Sequence, residues 1–366
     1  MRLVAVGDLA PLRSLDADGR SREVRDYLRG VDLAMANLEV PLTDGATTAE
    51  KAITLRASPG IAASLAEAGI KLVTVANNHA LDCGERGLLD TLEAVRGAGV
   101  EVVGGGKSLE EAFEPAVVSV GGLKIAVIGA ASTLPPGFAA GRNRPGIAPV
   151  RVRTRFYLDS ITLEEQPGMS PWVETETVAE DVERICAEVS YARERADIVV
   201  VQMHWGVPNG WSTEFQGPLA DYQRPLAHAL IDAGADLVVG HHPHVVHGVE
   251  RYGRGVVAYS LGNFLFHSMG DDEDLRLTSS YPPYKLSSLS TGIALRSMVL
   301  EAHFESGRLH EILFKPVMMN ERGDPEFSED AGAKSALEVL AAQSEELGTS
   351  LELSKNEARV RFAHHG

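Results

Sequence analysis

Three imidazoles fall within four residues in the run Gly-His241-His242-Pro-His244, and a fourth, His204, closes the apolar run VVVQMH. Asp8 follows VAVG, Asn37 and Glu39 follow or end LAMANLE, and Asn77, Asn78 and His79 follow VTVA. A single histidine after a strand is ordinarily a packing or surface residue. Three in one short stretch are costly to pack without a partner, and neutral imidazole is the commonest metal-binding side chain. Joined with Asp8, Glu39 and the Asn78 amide, His204, His242 and His244 make a mixed nitrogen and oxygen donor set. Such a set suits one or two divalent transition-metal ions (Mn, Zn, Fe, Co or Ni) rather than a metal selected by thiolates.

The elements that must position these residues are legible from pattern. Short β-branched runs alternate with helical periodicity, the signature of βα units and an α/β fold with mostly parallel strands. The runs are 3–7, 32–38, 71–76, 100–105, 124–130, 197–203, 236–241 and 255–261; helical spacing occupies 60–69, 87–99, 179–196 and 222–235. Ligands of open α/β sheets gather outside the carboxyl ends of the strands. Five strand ends here each deliver a ligand-type residue to that edge, which is the strongest functional signal in the chain.

Two segments break the rhythm: 134–178, rich in Pro, Gly and Arg before turning acidic, and the polar 267–292. Loops of that length are often functional, and at least one is expected to form a substrate lid. With 34 Lys and Arg against 51 Asp and Glu, the formal charge is −17, which disfavours nucleic acid as a partner. Cys83 and Cys186 stand in no CxxC or finger spacing and read as unpaired thiols. No run reaches the roughly 20 apolar residues of a membrane span, and the N-terminus reads as a strand, so a cytoplasmic protein is expected. The final His364 and His365 read as surface residues.

The ordered blocks GD, ANLE, NNH, HWG and GHHPH resemble the calcineurin-like metallophosphatases. More closely, ANLEVPLT, LRASP, ANNHALDCG, QMHWG, IDAGADLVVGHHPHVV and YSLGNFLF resemble the CapA/PgsA family, associated with poly-γ-glutamate capsule synthesis. The resemblance implies a four-layer α/β/β/α sandwich over residues 1–325, with the two excursions as insertions and a helical extension over 326–366. It implies Asp8 and His244 at one metal position, Asn78, His204 and His242 at a second, and Glu39 or Asn37 where the superfamily has a bridging Asp. His79 matches the position of a proton donor or charge stabiliser, with His241 a further proton carrier. Arg56 is suited to a substrate carboxylate or phosphate, and Asn37 and Asn263 are also expected at the substrate.

Two departures bear on the reaction: Ala10 stands where the superfamily has a histidine, and ANLE replaces the usual bridging Asp. Pro208 also stands in a longer loop after HWG where the family commonly has an acidic residue. The expected function is a metal-dependent enzyme acting on a peptide or poly-glutamyl substrate, by hydrolysis or by Cα epimerisation, as in CapA-like proteins that resemble peptide epimerases. The alternatives are a phosphoesterase and a non-catalytic, metal-stabilised component of polymer synthesis.

Overall fold

The structure is a computed structural model that describes residues 1–14, 21–51, 53–206, 218–267, 289 and 291–362. The excursion at 267–292 falls almost wholly outside the described residues, as do 207–217 and the terminal histidines.

Each of the eight β-branched runs contains a strand: Arg2–Ala10, Leu33–Leu38, Leu72–Thr74, Glu101–Val103, Leu123–Ala131, Ile198–His204, Leu237–His241 and Gly255–Ala258. The four helical patterns form Ile61–Glu67, Gly84–Gly97, Ala179–Arg193 and Gln223–Asp232. The strands separate into two sheets. In the first, Arg2–Ala10, Leu33–Leu38, Leu72–Thr74 and Glu101–Val103 run parallel in that order. In the second, Leu123–Ala131, Ile198–His204, Leu237–His241 and Gly255–Ala258 do the same, with antiparallel strands on both edges.

The continuous apolar character of these strands follows from burial on both faces. Leu3, Ala5, Leu33, Met35, Ile125, Val127, Ile198, Val200, Leu237 and Val239 meet between the sheets. Alternate residues of the first sheet, such as Val4, Val6, Ala34 and Val73, pack against Leu65, Leu88 and Leu92 of the helices outside it. Ala126, Ile128, Val199 and Val201 of the second sheet meet Ile185, Val189, Leu226 and Leu230 in the same way. The result is the helix, sheet, sheet, helix layering that the resemblance implies.

The far half of the first sheet is antiparallel. Arg296–Glu305 pairs with the first strand at Arg2–Ala5, Arg308–Met319 pairs with it in turn, and Ala358–Arg361 pairs with Arg308–Met319. The helix Ala331–Glu346, capped by Asp330 Oδ1 accepting from the Ala333 N–H at 2.9 Å, sends Ala336, Leu337 and Leu340 into the core between the sheets. Residues after 326 therefore complete a sheet and close the seam as well as forming a helix. Within 134–178, Val152–Tyr157 and Trp172–Thr177 form a separate antiparallel ribbon with the short helix Ser160–Glu165 at its tip. Cys83 and Cys186 are both free thiols, and no helix among the described residues is long and apolar enough to cross a membrane.

One buried histidine makes the fold acid-sensitive. His247 is 6% exposed, and burial pushes its imidazole down to about 4. An unfolded histidine titrates near 6.5, so between about pH 4 and 6.5 the unfolded chain holds the extra proton and stability falls as pH falls. Urea unfolding of His247→Asn should show a pH slope shallower by up to about one proton in that window. An unchanged slope would reject the assignment.

Candidate metal centre

Backbone contact comes first at this site. A Cβ on Gly7 would lie 1.9 Å from the Gly262 carbonyl oxygen, and one on Gly240 would lie 2.0 Å from that of Tyr259. Only glycine permits these approaches, so the glycine before Asp8 and the one before His241 have a steric cause. The Asp8 N–H donates to the Gly262 carbonyl at 3.0 Å, and Asp8 lies opposite Asn37 on one neighbouring strand and Asn263 on the other.

Around this anchor the strand ends converge. The Asn37 amide donates to Asp8 Oδ1 at 2.9 Å, while its own oxygen accepts from Asn77 Nδ2 at 3.0 Å. Asp8 Oδ2 accepts the His242 N–H at 3.2 Å and lies 3.5 Å from His244 Nδ1. Glu39 Oε1 lies 3.6 Å from His204 Nε2 and 3.8 Å from His244 Nε2. Asn78 Oδ1 is 2.8 Å from His204 Nε2. Ligand atoms of Asp8, Glu39 and His204 form one group within 4.8 Å of one another, and those of Glu39, His242 and His244 form a second. The two groups share Glu39.

The electrostatics favour a cation. Burial, reinforced by the Asp8 charge, pushes the Glu39 carboxyl well above its ordinary range, and its Oε1 accepts no hydrogen bond among the described residues. Leaving a buried carboxylate oxygen unsatisfied is costly, and a cation would relieve that cost. Burial also pushes His204 well down, helped by the charges of His242, His241 and His244; it takes His242 to about 3 and lowers His244 against the pull of Asp8. Burial raises Asp8 too, but the hydrogen bond and charge of His241, with His244 and Asn37, outweigh it and leave the carboxyl low. Neutral imidazoles beside carboxylates are the ligand form that a divalent transition metal requires. His242 and His244 have φ of 98° and 57°, a left-handed backbone that non-glycine residues rarely hold and that costs about 1–3 kcal/mol each.

A profile of the bacterial capsule synthesis protein PGA_cap family matches residues 2–268. The chain belongs to that family. Among its relatives, the PGA biosynthesis protein CapA of Bacillus subtilis (strain 168) is 34% identical over 253 residues, 68% of this chain and 57% of that protein. The capsule biosynthesis protein CapA of Bacillus anthracis is 31% identical over 253 residues, 67% of this chain and 53% of that protein. The chain thus spans little more than half the length of these curated PGA_cap relatives. A solved structure of a hypothetical protein from Thermus thermophilus is 20% identical over 85% of this chain and 97% of that one, with a TM-score of 0.46; at that score it carries no weight for fold or chemistry.

Within this PGA_cap site, three of the expected residues are buried against the ligand candidates. Asn37 and Asn263, expected at the substrate, are both wholly buried. The Asn263 oxygen lies 2.8 Å from His244 Nδ1, and its amide donates to the Leu289 carbonyl at 3.0 Å, a placement that orients a ligand candidate. His241, expected as a proton carrier, is 1% exposed with Nδ1 3.2 Å from Asp8 Oδ1, behind the carboxylate in the seam between the sheets. Arg56 is exposed and makes no hydrogen bond or ion pair among the described residues; its neighbour Leu55 donates its N–H to Asp82 Oδ2 at 2.7 Å. Ala10, where the superfamily has a histidine, is buried in the core under the outer helices.

Sequence reasoning overlooks Asp82 and Lys51. Asp82 Oδ2 is 2.6 Å from His79 Nδ1, and its Oδ1 accepts from Lys51 Nζ, which also donates to the Asn78 carbonyl. The spacing of His79 and Asp82 within NNHALD is the available signal, since one turn brings such residues together. Lys51 carries none, because a loop contact leaves no periodic trace.

Metal analysis of His242→Ala should show a marked loss of bound divalent metal with the circular dichroism unchanged. For Asn263→Ala, metal affinity should drop about 10- to 100-fold, as when a ligand's hydrogen-bond support is removed. Unaltered metal content in both variants would reject the ligand set.

Proposed function

We propose that the chain is a metal-dependent enzyme acting on a peptide or poly-glutamyl substrate by acid/base chemistry. The observation that carries this reading is the way His79 is held. His79 stands near His204 and His242, with one ring nitrogen held by Asp82. Orientation of one imidazole nitrogen by a carboxylate fixes the tautomer and leaves the other with its lone pair free, the state a proton-transfer group needs. A purely structural metal site would need no such group.

Asp8, Glu39, Asn78, His204, His242 and His244 would hold one or two divalent ions. A bound ion there would polarise a substrate carbonyl as a Lewis acid. His79 Nδ1 donates to Asp82, leaving Nε2 to take or give the substrate proton. Lys51 fixes Asp82 from its other oxygen, at 2.5 Å, and so holds the pair in one orientation. Burial lowers the His79 imidazole against the pull of Asp82, so the ring is neutral near pH 7 and can act as a base. The exposed Arg56 guanidinium, on a segment tied to Asp82 through Leu55, supplies a planar fork for a substrate carboxylate.

A phosphoesterase is the second reading, because two donor groups sharing Glu39 suit the paired ions that clamp a transferring phosphoryl group. The buried Ala10 in place of a histidine weighs against it.

His79→Asn should lower turnover about 100-fold or more while metal content and thermal stability hold. Incubation of the substrate peptide in deuterated water should then sort the branches: deuterium at one Cα without cleavage marks epimerisation, and cut peptide marks hydrolysis. Efficient metal-dependent phosphodiester hydrolysis, lost in His204→Ala, would overturn the peptide reading.

A further inference from the structure

The ribbon formed by Val152–Tyr157 and Trp172–Thr177, together with the segment that joins its strands, carries most of the large apolar side chains that the described residues expose. Eight of the eleven exposed large hydrophobic side chains lie between 156 and 173, among them Phe156 at 68%, Ile161 at 71% and Trp172 at 63%. Tyr157 and Trp172 share one face of the ribbon, Phe156 and Val173 the other, and the remaining four lie in the segment between the strands; in all they expose on the order of 900 Å². The ribbon's base is fixed. Asp221 Oδ2 accepts the Thr175 N–H at 3.0 Å, and Arg151 grips Asp181 through both its backbone and its guanidinium. A protruding apolar element with an ordered base is a docking device, and its chemistry points to the occupant.

One face of the ribbon is built from three cross-strand pairs in register: Arg153 opposite Glu176, Arg155 opposite Glu174 and Tyr157 opposite Trp172. All six side chains are exposed. Each pair joins unlike partners, basic with acidic and phenol with indole. A twofold axis running along the ribbon exchanges its two strands across the contact. Every arginine then faces a glutamate of the second copy, and every tyrosine faces a tryptophan. The face is therefore complementary to itself, the condition for an isologous interface. An anionic bilayer is disfavoured, because residues 152–177 hold two arginines against five carboxylates. We infer that this ribbon is a homodimerisation arm that stacks face to face on the same arm of a second copy.

The test uses the full chain. Sedimentation equilibrium should show a dimer, weakened about tenfold or more by Trp172→Ala, as truncation of a buried aromatic anchor usually does. Charge exchange gives the decisive arm. In the quadruple variant Arg153→Glu, Arg155→Glu, Glu174→Arg and Glu176→Arg, the ion pairs of residue 155 with 174 and 176 survive and the twofold contact is restored, so this protein should dimerise with itself. Mixed with the parent chain it sets Arg against Arg and Glu against Glu, and native mass spectrometry should find mixed dimers well below the statistical share. A parent chain that stays monomeric at every concentration, or mixed dimers at the statistical share, would overturn the inference. So would a monomer that sediments with phosphatidylcholine vesicles through Trp172, which would assign the patch to a lipid surface.

Discussion

The Asp8 carboxylate is the tie on which the site depends. It sits at the end of the first strand in one sheet, yet one oxygen accepts the His242 N–H from the loop that leaves the other. Its second oxygen is held by Asn37, whose own oxygen accepts from Asn77. Four chain segments from both sheets are thus referred to one buried anion. Such a group is costly unless its lone pairs are met, and here every donor that meets them is itself a ligand candidate or the neighbour of one. Position and charge compensation are the same event.

That arrangement also accounts for the backbone of the histidine loop. Left-handed conformations at His242 and His244 persist only where the surroundings over-determine them. Here Asp8 holds one end through the His242 N–H, and Asn263 orients the ring at the other. The histidines face the carboxylates because strain is balanced by these contacts.

The parallel strands were legible because burial on both faces writes itself as unbroken β-branched runs. The ligand candidates were legible because they follow those runs directly. Arg296–Glu305 and its hairpin partner Arg308–Met319 were not, since the first pairs with residues some 300 positions earlier and the polar members of both break the apolar pattern. Residue type alone would not have helped there: Glu301 and Lys315 interrupt these strands as charged residues, and they are met by each other across the strands and, at Glu301, by the Tyr27 hydroxyl and His303. The arm strands VRTRFY and WVETET were illegible for another reason, as only Val152 and Thr175, near the base, reach buried surroundings and the rest face no core. Within the site, Asn263 and His241 have ligand chemistry by type, and only the structure places them behind the ligands.

The antiparallel pairing of Arg2–Ala5 with Leu300–His303 also sets the order in which the molecule can be assembled. The first strand can meet Leu33–Leu38 early, but its opposite flank stays open until a strand some 300 residues later has been made. Pairings so distant in sequence make folding slow and leave edges exposed meanwhile. During that interval the strand bearing Asp8 is half a sheet, open to association with other nascent chains. The native pairing then requires that this edge stay unpaired until Leu300–His303 arrives.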